Sequence, residues 1–282
     1  MSLHVGDVFS VVVPICPLYL VTPEPGKTAC SNKYKNCTGY DAREVNSMND
    51  VVRSVRQDLR EHSDEKTRKS GERFFKEHVA LYGVKSAVAR KIASEHFKTI
   101  KNMEKQQIFA LCDELWQSGF MEESFVACHW SYALRKKYDP EDFGLFEKWV
   151  HEYVSNWAAC DTLCNHTVGT FIDMYQDYLE KLKGWTGSEN RWARRASAVS
   201  LIVPAKKGKF LEDVFQIADA LLKDDDDLVQ KGYGWLLKVA SHQHQQEVFE
   251  YVMKHRAVMP RTALRYAIEK MPEDLRDRAM EK

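Results

Sequence analysis

The 282-residue sequence has no excess of either charge: 41 Lys and Arg stand against 41 Asp and Glu. Most nucleic-acid binders carry surplus base, so the total argues mildly against that class, although distribution matters more than the sum. No segment alternates apolar and polar residues between hairpin turns, which excludes a sheet of any size. The longest apolar stretch, residues 8–21, is broken by Pro14 and Pro17 and is too short to cross a bilayer as a helix. Only His4 and Asp7 precede it, so the basic start of a secretory signal is missing. The seven cysteines are odd in number and follow no disulfide framework, as in a reduced, cytosolic protein, and Cys112 and Cys128 sit in apolar helical patterns as core residues. Cys16, Cys30 and Cys37 match no zinc spacing.

What is present is one helical pattern after another. Residues 1–47 stand apart, with Pro14, Pro17, Pro23 and Pro25 close together, and read as an irregular accessory extension. That extension can lie upstream of the natural start, since Met48 opens a clean helical pattern. From there to residue 282 the periodicity predicts helices: Val51 to Leu59, Phe74 to Leu81, Val84 to Ile100, Met103 to Trp116, Phe125 to Leu134, and further ones after Asp139-Pro140 and after Ser155 or Asn156. Phe210 to Leu222, Leu228 to Ala240, Val248 to Val252 and Ala263 to Met271 continue the series. Helices of this length on short polar turns suit a bundle or a stacked α-solenoid, and a weak recurrence around Trp130, Trp192 and Trp235 favours degenerate repeats. A solenoid offers a concave surface for a duplex or for a partner protein.

Three stretches carry chemistry. In Ser155 to Cys164, Trp157 and Asp161 lie four apart on one helix face, continued by Cys164 and Val168. Two readings of Asp161 are open: a carboxylate buried with a partner, or a residue near a helix start that complements the dipole and faces water. In Trp185 to Ala196, Arg194 and Arg195 begin a helix of small residues, and an exposed arginine pair there would suit phosphate. In Gln230 to Lys238, Gly232 and Gly234 interrupt a helical pattern at a cost of roughly 1 kcal/mol each, which calls for close approach of a backbone or a ligand. Arg135-Lys136-Lys137 and Lys206-Lys207-Lys209 add base, while acid gathers at Asp224 to Asp227. A zinc site from Cys160, Cys164 and His166 would want a fourth ligand that the sequence does not supply.

In this order and spacing the three stretches resemble the AlkD-type DNA glycosylases, over most of residues 50–275. Gly169 and the stretch Arg73-Phe74-Phe75-Lys76-Glu77-His78 fit as well. The resemblance implies an all-α, HEAT-like repeat α-solenoid with a concave basic groove. It implies a glycosylase that removes cationic N3- or N7-alkyl purines from double-stranded DNA, without a base pocket and without metal or organic cofactor. Trp157 and Trp235 fall on the aromatic walls, Asp161 on the catalytic carboxylate and Arg195 on the catalytic-site arginine. Arg191, Arg194, Arg195, Lys231 and Phe74 are the expected DNA contacts. The protein would act as a monomer in the cytoplasm, at the nucleoid when on DNA, and not at a membrane. Phe74 departs from a frequent tyrosine, Cys160 from a common aromatic, and Cys164 has no counterpart, which bears on substrate range. Two other readings remain: a non-catalytic relative that binds branched or distorted DNA, and a protein–protein scaffold.

Overall fold

A computed structural model describes residues 42–281, with side chains from Asp50 onward. The first helix, α1 (Ala42–Glu61), begins ahead of Met48; residues 1–41 of the expected extension lie outside the described residues. There follow α2 (Glu65–Glu72), α3 (Ser86–Ile100), α4 (Lys105–Gln117), α5 (Met121–Ala133) and α6 (Asp142–Glu152). The middle of the chain forms α7 (Trp157–Leu163), α8 (Gly169–Met174), α9 (Leu179–Gly184), α10 (Arg191–Val199) and α11 (Ile202–Lys206). The last part holds α12 (Leu211–Ala220), α13 (Asp227–Ala240), α14 (Gln245–His255), α15 (Arg261–Ile268) and α16 (Glu273–Met280). No strand occurs among the described residues; Ala80 and Phe120 form one isolated bridge.

The fold is all-α and solenoid-like. Each helix packs mainly on neighbours a short way along the chain: α3 and α4 on α5, α5 on α7, α7 and α6 on α10, α10 on α13, and α13 on α15. One continuous core runs from Val52 to Ala279 along this stack, because most of the helices bury apolar residues against their neighbours, whereas α2 buries none. Local signals set the helix starts that matter here. Asn156 accepts the Ala159 N–H at 2.8 Å and opens α7; Asn190 accepts that of Trp192 at 2.9 Å and opens α10; Asp226 accepts that of Leu228 at 2.8 Å and opens α13. The start expected at Asp139-Pro140 falls later: Asp139 accepts the Glu141 N–H at 3.1 Å, and α6 begins at Asp142.

One expectation needs correction. The stripe Phe74 to Leu81 does not form a helix, because α2 ends at Glu72 and residues 73–85 run irregularly. The buried Glu122 carboxylate draws the N–H groups of Tyr82, Gly83 and Val84 onto itself at 3.1, 2.8 and 3.0 Å. Those tertiary bonds hold the chain just past Leu81 in an irregular path into α3, so context overrides apolar spacing. The two glycines of α13 serve two different neighbours. A Cβ at Gly234 would stand 2.7 Å from the Tyr266 Cβ and 2.8 Å from the Ala263 carbonyl oxygen, so this glycine lets α15 lie close against α13. Gly234→Ala should therefore lower stability by about 1–3 kcal/mol through overpacking. Urea denaturation of the variant checks this; an unchanged midpoint would mean that α15 is not so close.

Candidate functional site

The site is built where α7, α10 and α13 meet. Asp161 is 2% exposed and Arg195 5% exposed, although 34 positions separate them in sequence. The Arg195 guanidinium donates from Nε to Oδ1 and from Nη2 to Oδ2 of Asp161, both at 2.8 Å, which is a parallel two-bond fork. Its Nη1 donates to the Leu228 carbonyl of α13. A Cβ at Gly232 would lie 3.3 Å from the Arg195 Cγ and 3.5 Å from Nη1, so the second glycine makes room for this side chain. The small residues Ala193 and Ala196 bring the α10 backbone near enough for the reach, and both are fully buried.

The reading of Asp161 as a water-facing helix-start residue is thereby excluded. Burial pushes its carboxyl above the ordinary carboxylate range, and the facing guanidinium pulls it back down. For Arg195, burial works against the charge, yet pairing with Asp161 wins and holds the guanidinium above its ordinary value. The pair is thus a desolvated charge couple. The wide turn Cys164–Val168 follows α7, and the Asn165 side chain donates to the Asp161 carbonyl at 2.9 Å, fixing the backbone under the carboxylate.

Trp157, one turn before Asp161, is half-buried. Phe75 stacks on it at 5.4 Å between centroids and 29° between planes, and Phe74 meets it edge-on at 5.6 Å. Phe74 is 55% exposed, so a large apolar face stands open beside the site. Trp235 lies three residues past Gly232 on α13, half-buried against the core. Tyr266 of α15 is close enough to add to the raised affinity of Arg195 for its proton. Phe75, Glu77 and Tyr266 were not singled out from the sequence by role; no spacing rule connects them to α7, α10 or α13.

The cations expected to meet phosphate are engaged within the chain. Arg194 is not exposed as expected: its Nε donates to Asp224 at 2.6 Å, and its Nη1 donates to the Ser188 and Glu189 carbonyls. Arg191 binds Glu77 at 3.1 Å and Asp226 at 2.9 Å. Lys231 binds Asp227 at 2.6 Å, and that contact holds the Asp227 carboxyl below its ordinary range. The acid of residues 224–227, expected to lie apart from the base, instead lies on it. A phosphate reaching these groups has to compete with a carboxylate at each one.

Cys160 and Cys164 are fully buried, and the Cys160 thiol donates to the Trp192 carbonyl at 3.6 Å. Burial pushes that thiol far above its ordinary value. His166 packs against the Tyr132 ring at 5.2 Å. No group of three or more His, Cys, Asp or Glu residues able to hold a metal occurs among the described residues. None of the described helices is long and apolar enough to cross a membrane.

The sequence pattern of the family described as DNA alkylation repair enzyme matches residues 55–271, a span that includes Trp157, Asp161, Arg195 and Trp235. No curated protein matches the chain at a significant level. Among solved structures, the chain is similar to a predicted DNA alkylation repair enzyme from Enterococcus faecalis, with a TM-score of 0.68 at 16% identity. That likeness covers 75% of this chain and 98% of the other, and at such identity it speaks for the fold alone.

Proposed function

Because the chain belongs to the DNA alkylation repair enzyme family, we propose that it is a glycosylase that hydrolyses the N-glycosidic bond of cationic N3- or N7-alkyl purines in double-stranded DNA. The observation that carries this reading is the buried Asp161–Arg195 fork on the Trp157 face of α7. Alkylation puts positive charge on the purine, so the base leaves with the bonding electron pair and becomes neutral without protonation. Positive charge passes to the deoxyribose as an oxocarbenium ion. Asp161, ionised, faces that cation; water adds to the anomeric carbon and its proton is lost to the carboxylate or to solvent. A carboxylate about 4 Å from a unit positive charge gains roughly 4 kcal/mol at an effective dielectric near 20. Present only in the transition state, that gain is worth roughly a thousandfold in rate.

Arg195 has a second part in this reading. The DNA phosphate beside the lesion takes over the guanidinium, and the cationic lesion supplies the counter-charge that Asp161 gives up. Trp157 and Trp235 flank the sugar, exclude water and add cation–π attraction. The HEAT-like stack presents its concave side to the duplex, and the chain works as a monomer in the cytoplasm, at the nucleoid, with no metal or organic cofactor.

Release of N7-methylguanine from a methylated duplex by the full chain tests the assignment directly; no release at any salt concentration refutes it. A scaffold reading draws on the pairing of Arg191, Arg194 and Lys231 with acids and on the zero net charge. Salt separates the two, since displacement of several condensed counterions makes duplex affinity fall steeply between about 50 and 200 mM salt. Asp224→Asn should raise duplex affinity roughly threefold to tenfold by freeing Arg194 from a competing carboxylate. Fluorescence anisotropy with a labelled duplex checks both; a flat salt profile with unchanged affinity in the variant favours the scaffold.

A further inference from the structure

One short segment touches all three helices of the site. Residues 73–78 leave the end of α2 and meet the first residue of each of α7, α10 and α13. Phe75 stacks on Trp157, and Phe74 meets it edge-on. Arg191 donates to Glu77 at 3.1 Å, over a separation of 114 positions, and the Lys76 ammonium lies 3.6 Å from Asp227. Trp157 stands one turn before Asp161, and Arg191 one turn before Arg195. The segment therefore lies one helical turn from the Asp161–Arg195 fork on both helices.

Its ties are incomplete. The Lys76 side chain is 79% exposed, so its pair with Asp227 is weak. The Glu77 side chain is mostly buried, yet its second oxygen accepts no hydrogen bond, and Arg191 also binds Asp226. A buried carboxylate oxygen without a donor is costly, which eases withdrawal of this acid. The supports of the segment are also uneven. On one side α2 buries no residue, and a cavity of about 650 Å³ is lined by Thr67, Ser70, Phe74, Phe75, Phe125 and Trp157. Both phenyl rings thus have room to move into. On the other side Val79 and Leu81 are buried, and Glu122 holds the N–H groups of residues 82–84. A segment loose at one end, fixed at the other and backed by empty space can swing about its fixed end.

We propose that residues 73–78 are a gate over the site, closed in this structure, in which Glu77 occupies on Arg191 the place of a DNA phosphate. The inference rests on the glycosylase reading and adds a regulation of that same site. A duplex phosphate takes Arg191 from Glu77, the segment shifts toward the cavity, and Trp157 loses its cover of phenyl rings before a sugar reaches Asp161. The guanidinium exchanges one anion for another, so opening does not leave it bare. Opening then depends on the polyanion itself.

The test mixes the full chain with excess duplex carrying 2-aminopurine, whose fluorescence follows engagement of the site in a stopped-flow instrument. The observed rate should rise with duplex concentration to a ceiling set by opening of the gate. Glu77→Gln should raise that ceiling roughly tenfold or more, the effect of about 1.4 kcal/mol. Glu72→Gln removes an exposed acid that pairs with Arg68 instead, and should leave the ceiling unchanged. In the wild-type chain the ceiling should rise between about 50 and 200 mM salt, because opening breaks ion pairs, while the slope at low duplex concentration falls. Charge steering alone does not give those opposite signs. A merely structural contact would lower the denaturation midpoint of Glu77→Gln without speeding engagement, and the wild-type salt response decides the matter even if that variant fails to fold. Rates that stay linear in duplex concentration, with no faster engagement by Glu77→Gln, would overturn the gate; continued base release would leave the glycosylase reading standing. No duplex binding at all would overturn both.

Discussion

Asp161→Asn is expected to release N7-methylguanine from duplex DNA about a thousandfold more slowly than the wild-type chain. The change keeps the shape of the side chain and removes its charge. If the carboxylate acts on the sugar cation, the loss falls on the chemical step, seen in single-turnover rates, while duplex affinity stays near that of the wild type. A variant that binds and cleaves undiminished would remove Asp161 from the reaction, and with it the main support for the mechanism. The substitution also leaves the buried Arg195 without its forked anion. Circular dichroism at the assay temperature has to show a folded chain, so that lost rate is not lost structure. Trp157→Ala gives a useful contrast. If the indole touches substrate before and during bond cleavage, the variant should raise the requirement for substrate as well as slow the step.

The second large effect belongs to Arg195. Arg195→Gln should destabilise the fold by about 3–5 kcal/mol near neutral pH, because it strands a buried carboxylate. The sign of the pH dependence follows from the direction of the Asp161 shift. Burial already raises that carboxyl above its unfolded value, and removing the guanidinium raises it further. A group whose folded pKa is raised destabilises the fold as it ionises, so stability of the variant falls as pH rises through the folded pKa. Denaturation midpoints at pH 5 and pH 8 should therefore diverge more in Arg195→Gln than in the wild type. Activity moves the other way. The proposed chemistry needs the ionised acid, so the acid limb of the rate profile should shift upward. Asp161→Asn combined with Arg195→Gln should recover much of the lost stability, as neither charge is then left alone, and the double-mutant cycle measures the coupling. Equal losses at pH 5 and pH 8 would show that Asp161 does not respond to its partner.

These effects meet in a few residues that the sequence exposed unevenly. Trp157 and Asp161 were recognisable because a four-residue spacing puts them on one helix face whatever else the chain does. Asn156 was one of two candidate starts for its helix, and the bond that decides it is made within three residues. The need for close approach at Gly232 and Gly234 was legible, but its two causes, an arginine side chain and the backbone of α15, were not. The stripe from Phe74 to Leu81 misled because helical spacing there serves several separate contacts. Phe75 goes to Trp157, Val79 and Leu81 go to the core, and the backbone beyond them goes to Glu122. Arg194 misled in the same way: adjacent arginines look alike in sequence, yet one side chain turns inward to Asp161 and the other to Asp224.

The amino-acid sequence alone settled the all-α class and the shared face of Trp157 and Asp161, and narrowed the start of α7 to Ser155 or Asn156. Each of these depends on interactions within about one helical turn, where spacing is geometry. Tertiary packing alone decided that Asp161 is buried against Arg195, that Asp224 and Asp226 pair with Arg194 and Arg191, and that an aromatic cavity opens beside Trp157. Partners 30 or more positions apart meet only when the helices stack, and the burial that sets the strength of their charges exists only once they have.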